Sequence, residues 1–176
     1  PGNYTITVSF YSAGSNRCLA SETLELEVID VELPKQDLLY TSWFHYDCLA
    51  DTYNVDVFSE RHFEIIRSFV TEAVKTGMNM ILLPAFTPPL DTPVGKERKT
   101  VQLVGVDFDG KNYKFDFSLM ERFIKLCFDC GITHFEHCHL FTQWGAQHAP
   151  KIMATVNGEY KQLFGWDTDS KSQEYA

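Results

Sequence analysis

The feature that most constrains the fold is a nearly continuous apolar run at residues 78–84, MNMILLP. A strand that is apolar on both sides must be covered on both faces, which is typical of parallel sheets. Ahead of this run, Ser59 predicts the start of a helix and Gly77 predicts its end. Residues 38–46, mostly apolar and aromatic, predict an earlier strand. Strand, helix and strand within about fifty residues predict a βαβ unit with parallel strands.

The rest of the chain repeats this alternation and adds two hairpins. Asp109-Gly110-Lys111 is typical hairpin-turn chemistry between two strand-like segments. Asn157-Gly158 marks a second turn of the same kind. In chain order we therefore predict a hairpin over residues 100–117, a helix from an N-cap at Ser118 to Gly131, a strand over 132–140 and a hairpin around 156–160.

This order of elements predicts an α/β fold and fits two architectures. One is a partial (β/α)8 TIM barrel, containing about the first three strand–helix units with inserted hairpins. The other is an open, doubly wound sheet, which periodicity alone does not separate from a barrel. Polar and aromatic residues follow the carboxyl end of each predicted strand, in long loops, where barrel enzymes build their sites. We therefore favour the partial barrel.

The first part of the chain has a different character. Tyr4, Ile6, Val8 and Phe10 alternate with small polar residues, and residues 24–28 alternate in the same way. A period of two predicts strands, and two strands alone are marginally stable. We expect residues 1–33 to be the end of an N-terminal β-sandwich, 34–38 to be a linker, and 39–176 to be the N-terminal part of the barrel.

Composition excludes some classes of partner. The formal net charge is −9, which disfavours binding to a phosphate backbone, so we expect no nucleic-acid partner. Because no apolar run reaches the roughly 18 residues that span a bilayer, we expect no membrane partner. The chain begins at Pro1 without a methionine, so we expect it to be part of a longer protein, and the sequence indicates no compartment. A barrel fragment would leave a strand edge uncovered, which predicts self-association.

Aromatic, imidazole, amide and carboxylate groups gather after the predicted strands. This mixture is typical of carbohydrate sites, where apolar sugar faces stack on rings and hydroxyls form hydrogen bonds. We therefore expect a carbohydrate partner. The residues predicted to line its site are His45, Asp47, His139, Gln143, Trp144, Trp166 and Asp167.

Neither an acid/base pair nor a metal site emerges from the spacing of the reactive residues. Glu136 is either a site carboxylate or a buried structural one, and no second carboxylate is matched to it. Cys127, Cys130 and Cys138 occur with nearby histidines, which raises a zinc alternative. In a strand, Cys138 and His139 would point to opposite sides, which disfavours a tetrahedral site. We predict no metal, no cofactor and no catalytic residue within the chain.

Several ordered segments resemble a known family. The segments are WFHYDCLADTYNV, FSERHFEIIRSFV, GMNMILLPAFTPPLDT, KERKTVQLVGV, GITHFEHCHLFTQWGAQHAPKI and LFGWDT, which together cover nearly all of residues 40–168. They resemble the catalytic domain of glycoside hydrolase family 123 and its uncharacterised bacterial relatives. The resemblance implies a β-sandwich followed by a (β/α)8 barrel.

The resemblance also implies a retaining β-N-acetylgalactosaminidase-type reaction on an N-acetylhexosamine glycan. In such a reaction the acetamido oxygen of the substrate attacks the anomeric carbon, so no enzyme nucleophile is required. An adjacent Asp-Glu pair orients the acetamide and protonates the leaving oxygen. This chain contains no adjacent Asp-Glu pair, so we expect the pair to lie outside it and the segment alone to be inactive. A non-catalytic carbohydrate-binding or scaffold module of the same fold is the alternative.

Overall fold

The computed structural model describes residues 1–34, 37–143 and 145–175, in two compact units, residues 1–37 and 38–176. The assignment of residues 1–33 to a β-sandwich and of 34–38 to a linker stays a prediction. The elements in chain order are β1 (Gly2–Tyr11), β2 (Cys18–Val28), α1 (Tyr46–Thr52), α2 (Glu60–Lys75), β3 (Met80–Leu83), β4 (Gly105–Phe108), β5 (Tyr113–Asp116), α3 (Ser118–Cys130), β6 (His134–His137), β7 (Ile152–Val156) and β8 (Glu159–Phe164).

The first unit is an antiparallel hairpin of β1 and β2. Tyr4 pairs with Leu26 and Ile6 with Leu24, so the apolar side chains share one face, as the alternation predicted. Because a two-stranded ribbon has nothing to cover this face, its side chains are between 41% and 62% exposed. The apolar residues of the face are Tyr4, Ile6, Val8, Phe10, Leu24, Leu26 and Val28. Self-association stays a prediction.

The second unit is built around the parallel pair β3 and β6. Ile81, Leu82 and Leu83 are all buried, which confirms a strand covered on both faces. Successive side chains point to opposite faces, and they enter two different cores. Ile81 packs with α1, α2 and α3, whereas Leu82 packs with residues of β4 and β7.

Both predicted hairpins form, and they join each other. β4 pairs antiparallel with β5, and β7 pairs antiparallel with β8. A short parallel contact between β4 and β7 then makes one four-stranded sheet in the order β5-β4-β7-β8. The sequence predicted each hairpin but not their union, because the contact joins residues 48 positions apart in the chain that carry no local pairing signal.

The α/β class is confirmed, while the barrel stays a prediction. Within the described residues the strands form sheets of two, two and four members, and none of these sheets closes on itself. A parallel β3–β6 pair connected through α3 is the arrangement that consecutive strands of a barrel would have. None of the described helices combines the length and the apolar character needed to cross a bilayer.

The prediction of a strand over residues 38–46 is wrong. Residues 38–45 run irregularly beside the start of β3, and α1 begins at Tyr46. The side chain of Asn79 accepts from the Tyr40 N–H at 2.8 Å and donates to the Leu38 carbonyl at 2.9 Å. The Tyr40 carbonyl accepts from both Asn79 and Met80. Because the Asn79 side chain bonds the backbone groups of Leu38 and Tyr40 that a β-ladder would pair, no ladder forms.

The N-cap prediction at Ser118 is wrong by one residue. Phe117 occupies the cap position of α3, and Ser118 is the first helical residue. The Asp116 carboxylate accepts from the Ser118 N–H at 2.9 Å, and this hydrogen bond lowers the pKa of Asp116. The end of the helix is as predicted, because Gly131 adopts a left-handed φ of 105°.

Helix α2 forms as predicted and buries one histidine. Ser59 is its N-cap and accepts from the His62 N–H at 3.2 Å. The His62 ring is fully buried, where Nδ1 accepts from the Phe58 N–H and Nε2 donates to the Tyr46 carbonyl, both at 2.9 Å. Only the neutral ring can accept at Nδ1. Burial lowers the pKa of His62, an effect that the Tyr46 bond opposes and the Lys99 charge reinforces.

We predict that acidification destabilises the fold through His62. Because its folded pKa is below the unfolded value of about 6.5, the unfolded chain binds more protons as pH falls below that value. Stability from His62 is therefore complete above about pH 6.5 and is lost as pH falls toward the folded pKa. Thermal denaturation should give a lower Tm at pH 5.5 than at pH 7.5. His62→Gln should have a lower Tm than wild type at pH 7.5 and a smaller fall in Tm between pH 7.5 and pH 5.5. The exposed control His134→Gln should show the same fall in Tm as wild type. A wild-type fall in Tm in His62→Gln would contradict the prediction.

Candidate functional site

An aromatic cluster lies at the carboxyl-terminal part of β6. It consists of Trp43, Glu136 and His139. The Trp43 indole N–H donates to Glu136 Oε2 at 2.7 Å, and the His139 ring meets the Trp43 ring edge-on at a centroid distance of 5.4 Å. These contacts fix the orientation of the indole, while the residue remains 45% exposed. A fixed and half-open indole can stack on an apolar ligand face.

His45 lies just ahead of α1 and contacts the loop that follows β3. Its Nε2 atom lies 3.0 Å from Asp91 Oδ2. The His45 side chain is mostly buried, whereas the Asp91 side chain is largely exposed. Asp91 adopts a positive φ of 55°, a conformation that aspartate tolerates better than most residues. The pair therefore presents a carboxylate to solvent near the strand ends.

Asp47 is buried in the first turn of α1 and forms an ion pair with Arg98. Arg98 Nε and Nη2 donate to the two carboxylate oxygens at 2.9 and 3.0 Å, while Nη1 donates to the Leu90 carbonyl at 3.4 Å. The Asp47 and Arg98 side chains are only 7% and 14% exposed. Burial works to lower the pKa of Arg98, but the hydrogen bonds and charge of Asp47 outweigh it and raise that pKa. Both Asp47 oxygens are occupied, so this residue holds α1 to the loop after β3.

A small pocket, which we call the threonine pocket, lies beside this ion pair. Thr87, Thr92 and Thr142 line it and are all buried. Trp166 closes one side, where its indole N–H donates to the Lys96 carbonyl at 2.7 Å. The residues lining the threonine pocket are Thr87, Pro88, Pro89, Thr92, Lys96, Glu97, Arg98, Thr142, Pro150, Lys151 and Trp166.

The structure distributes the predicted site residues over several places. His45 and His139 belong to the strand-end contacts, while Trp166 belongs to the threonine pocket. Asp47 lies behind this region as a buried ion-pair partner. Gln143 is half-buried, and Asp167 is exposed next to Thr168. Trp144 lies outside the described residues. A role for each of these residues in binding stays a prediction.

Sequence reasoning missed the residue that organises these contacts. Arg98 lies in the basic segment KERK, which is typical of a solvent-exposed turn. One signal was present: Asp47 follows Tyr46 and lies two residues before Leu49, and a carboxylate among buried apolar residues requires a cationic partner. Which of the 15 basic residues supplies the charge depends on tertiary structure, so the sequence did not identify Arg98.

The cysteines lie in separate environments. Cys127 is buried in α3, and burial raises its pKa to about 12. Cys138 accepts from the Phe86 N–H at 3.3 Å, and burial raises its pKa as well. Cys130 contacts Thr71 of α2. Among the residues that the structure describes, no three His, Cys, Asp or Glu side chains are grouped to hold a metal ion.

The fold and site define an α/β domain with polar and aromatic side chains gathered beyond its parallel strand ends, the arrangement of α/β enzymes. A family model described as glycoside hydrolase 123, catalytic domain, matches residues 43–176. The match covers more than half of the chain, and the chain belongs to this family, which confirms the resemblance drawn from the sequence. Carbohydrate is therefore the substrate class of its family. No curated protein matches the sequence.

We predict that breaking the Asp47–Arg98 pair destabilises the second unit strongly. Asp47→Asn leaves a mostly buried guanidinium without its counter-charge and should cost about 3 kcal/mol of unfolding free energy, measured by urea denaturation. The exposed pair Glu72–Lys75 is a matched control, and Glu72→Gln should cost less than about 1 kcal/mol. Replacing both partners, by Asp47→Leu with Arg98→Met, should recover most of the loss. Equal costs for Asp47→Asn and Glu72→Gln would contradict a supporting role for the pair.

Proposed function

We propose that this chain is the sugar-binding part of a retaining N-acetylhexosaminidase that acts on N-acetylgalactosamine glycans. In this proposal the acetamido oxygen of the substrate is the nucleophile, as in substrate-assisted glycoside hydrolysis. The adjacent Asp-Glu pair that such a reaction requires is absent from the sequence, so residues outside this chain supply it. Family membership supports the reaction class.

The aromatic cluster carries the proposal. A half-exposed indole held by a carboxylate at 2.7 Å is ready to receive an apolar sugar face without further ordering of its side chain. Preorganisation of this kind lowers the entropic cost of binding. In the proposal Trp43 stacks on the sugar ring, while His139 and the exposed carboxylate of Asp91 form hydrogen bonds with hydroxyls.

The remaining predicted residues have supporting roles in this proposal. Asp47 positions Arg98 and the loop after β3, and His45 positions Asp91. Gln143, Trp144 and Asp167 supply further contacts from the loops after β6 and β8. Glu136 acts through Trp43, because its carboxylate accepts the indole hydrogen.

A non-catalytic carbohydrate-binding module is the second candidate. The absence of an adjacent Asp-Glu pair from the sequence favours it over an enzyme that works within these residues. Both candidates require sugar binding at the aromatic cluster, and they differ in whether the complete protein hydrolyses a glycoside.

We predict that the chain binds N-acetylgalactosamine by stacking on Trp43, because the indole is half-exposed and fixed in orientation. Ligand-observed NMR titration measures the affinity. Trp43→Ala should weaken binding about tenfold through lost stacking, equivalent to about 1.4 kcal/mol. Tyr160 is an exposed aromatic residue on β8 outside the aromatic cluster, and Tyr160→Ala should leave the affinity unchanged. An unchanged affinity in Trp43→Ala would contradict the proposed stacking.

We also predict that this chain alone does not hydrolyse a nitrophenyl β-N-acetylgalactosaminide, because it lacks the carboxylate pair. Release of nitrophenol, followed by absorbance, is the measurement. Turnover that disappears in Glu136→Gln but persists in Glu159→Gln would assign the acid to Glu136 and contradict the proposal that the acid lies outside the chain.

A further inference from the structure

Thr142 is the one residue lining the threonine pocket whose buried hydroxyl has no partner. It is 4% exposed, and its Oγ1 makes no hydrogen bond within the described part of the chain. By contrast, Thr87 Oγ1 accepts from the Val101 N–H at 3.1 Å, and Thr92 Oγ1 donates to the Leu90 carbonyl at 3.0 Å. A buried hydroxyl without a partner costs stability. Buried hydroxyls in native proteins rarely lack a partner, so a polar group that enters the pocket would satisfy Thr142.

The buried charges of the threonine pocket are neutralised. Arg98 is paired with Asp47, and Lys151 lies 3.2 Å from Glu97. Lys96 is exposed and contributes its carbonyl oxygen to the contact with Trp166. An anion would therefore meet no buried, uncompensated positive charge. A neutral polar group suits this environment better, because it brings no charge that must be desolvated.

The size of the threonine pocket limits what it can hold. Its cavity volume is about 20 Å³. A single water requires about 10–15 Å³ by this measure, whereas pockets for whole small molecules are of the order of 300–1,000 Å³. The pocket therefore accepts one substituent of a ligand and not a complete sugar ring. The faces of Trp166, Pro88 and Pro150 supply apolar contacts around that substituent.

We propose that the threonine pocket binds one hydroxyl-bearing substituent of the sugar, which forms a hydrogen bond with the Thr142 hydroxyl. The inference rests on the proposed function, because it assumes that the chain binds a sugar. The loop that follows β3 connects the two places, since it carries Asp91 near His45 and also Thr87, Thr92 and Arg98 in the pocket.

A trapped water is the competing occupant, and stability separates the two. If the hydroxyl has no partner in the free protein, Thr142→Val removes a desolvated polar group and should raise the Tm by about 2–4 °C. If a buried water already forms a hydrogen bond with the hydroxyl, the same substitution removes that hydrogen bond and should lower the Tm. Ser172 is a matched control outside the pocket, because its Oγ is also buried without a partner, and Ser172→Ala should raise the Tm.

The decisive experiment measures Tm and affinity for N-acetylgalactosamine on the same variants of the full chain. Thr142→Val should weaken binding about three- to tenfold, as expected for one lost hydrogen bond, while Ser172→Ala should bind as wild type. Thr142→Ser keeps the hydroxyl and should bind within about twofold of wild type, since only a methyl group is lost. One monodeoxy analogue of the sugar, which lacks the hydroxyl that meets Thr142, should bind wild type more weakly than the parent sugar does. Thr142→Val should bind this analogue and the parent sugar with equal affinity.

The outcomes distinguish a failure of this inference from a failure of the proposed function. If the wild-type chain does not bind the sugar, both are overturned. If wild type binds and Thr142→Val binds equally well, or has a lower Tm, only the role of the threonine pocket is overturned. NMR of threonine methyl groups in wild type gives an answer that needs no variant: the Thr142 signal should shift on saturation with sugar. An unshifted Thr142 signal at saturation overturns the inference.

Discussion

The ion pair between Asp47 and Arg98 is the contact on which the arrangement at the strand ends depends. Asp47 belongs to α1, whereas Arg98 belongs to the long connection between β3 and β4, and both are mostly removed from solvent. Because a buried charge without its partner is costly, the pair constrains the connection far more tightly than backbone preferences would. The third guanidinium nitrogen reaches the Leu90 carbonyl, which extends the constraint to the residue before Asp91.

The residues at the strand ends are of two types: some contact a ligand in our proposals, and others hold those residues in place. Among the residues that touch a ligand in our proposals, Trp43 and Asp91 are exposed and Thr142 has an unpaired hydroxyl. The residues behind them instead have carboxylate oxygens engaged by neighbouring side chains. Glu136 and Asp47 illustrate the second type: one carboxylate is engaged by an indole and the other by a guanidinium. Carboxylates that look like candidate acids in a sequence can thus serve to hold neighbouring side chains in place.

Local signals predicted most of the secondary structure, and tertiary contacts account for the rest. The cap at Ser59, the glycine ends of α2 and α3 and both hairpin turns were readable because each depends on a few neighbouring residues. The strand over residues 38–46 failed because a distant side chain, Asn79, takes the hydrogen bonds that a ladder would use. For the candidate site, residue types indicated His45, His139 and Trp166, although the strand expected to place His45 does not form. They did not indicate Arg98 or the unpaired hydroxyl of Thr142. Those depend on which groups meet in space.

The joining of β4 to β7 has an evolutionary consequence. Two hairpins that lie in different connections share one sheet, so each covers a strand edge of the other. A homologue could not gain or lose one hairpin by itself without baring a strand to intermolecular pairing. The two hairpins should therefore be inherited together, and engineers who transplant loops between relatives should exchange them as a single block.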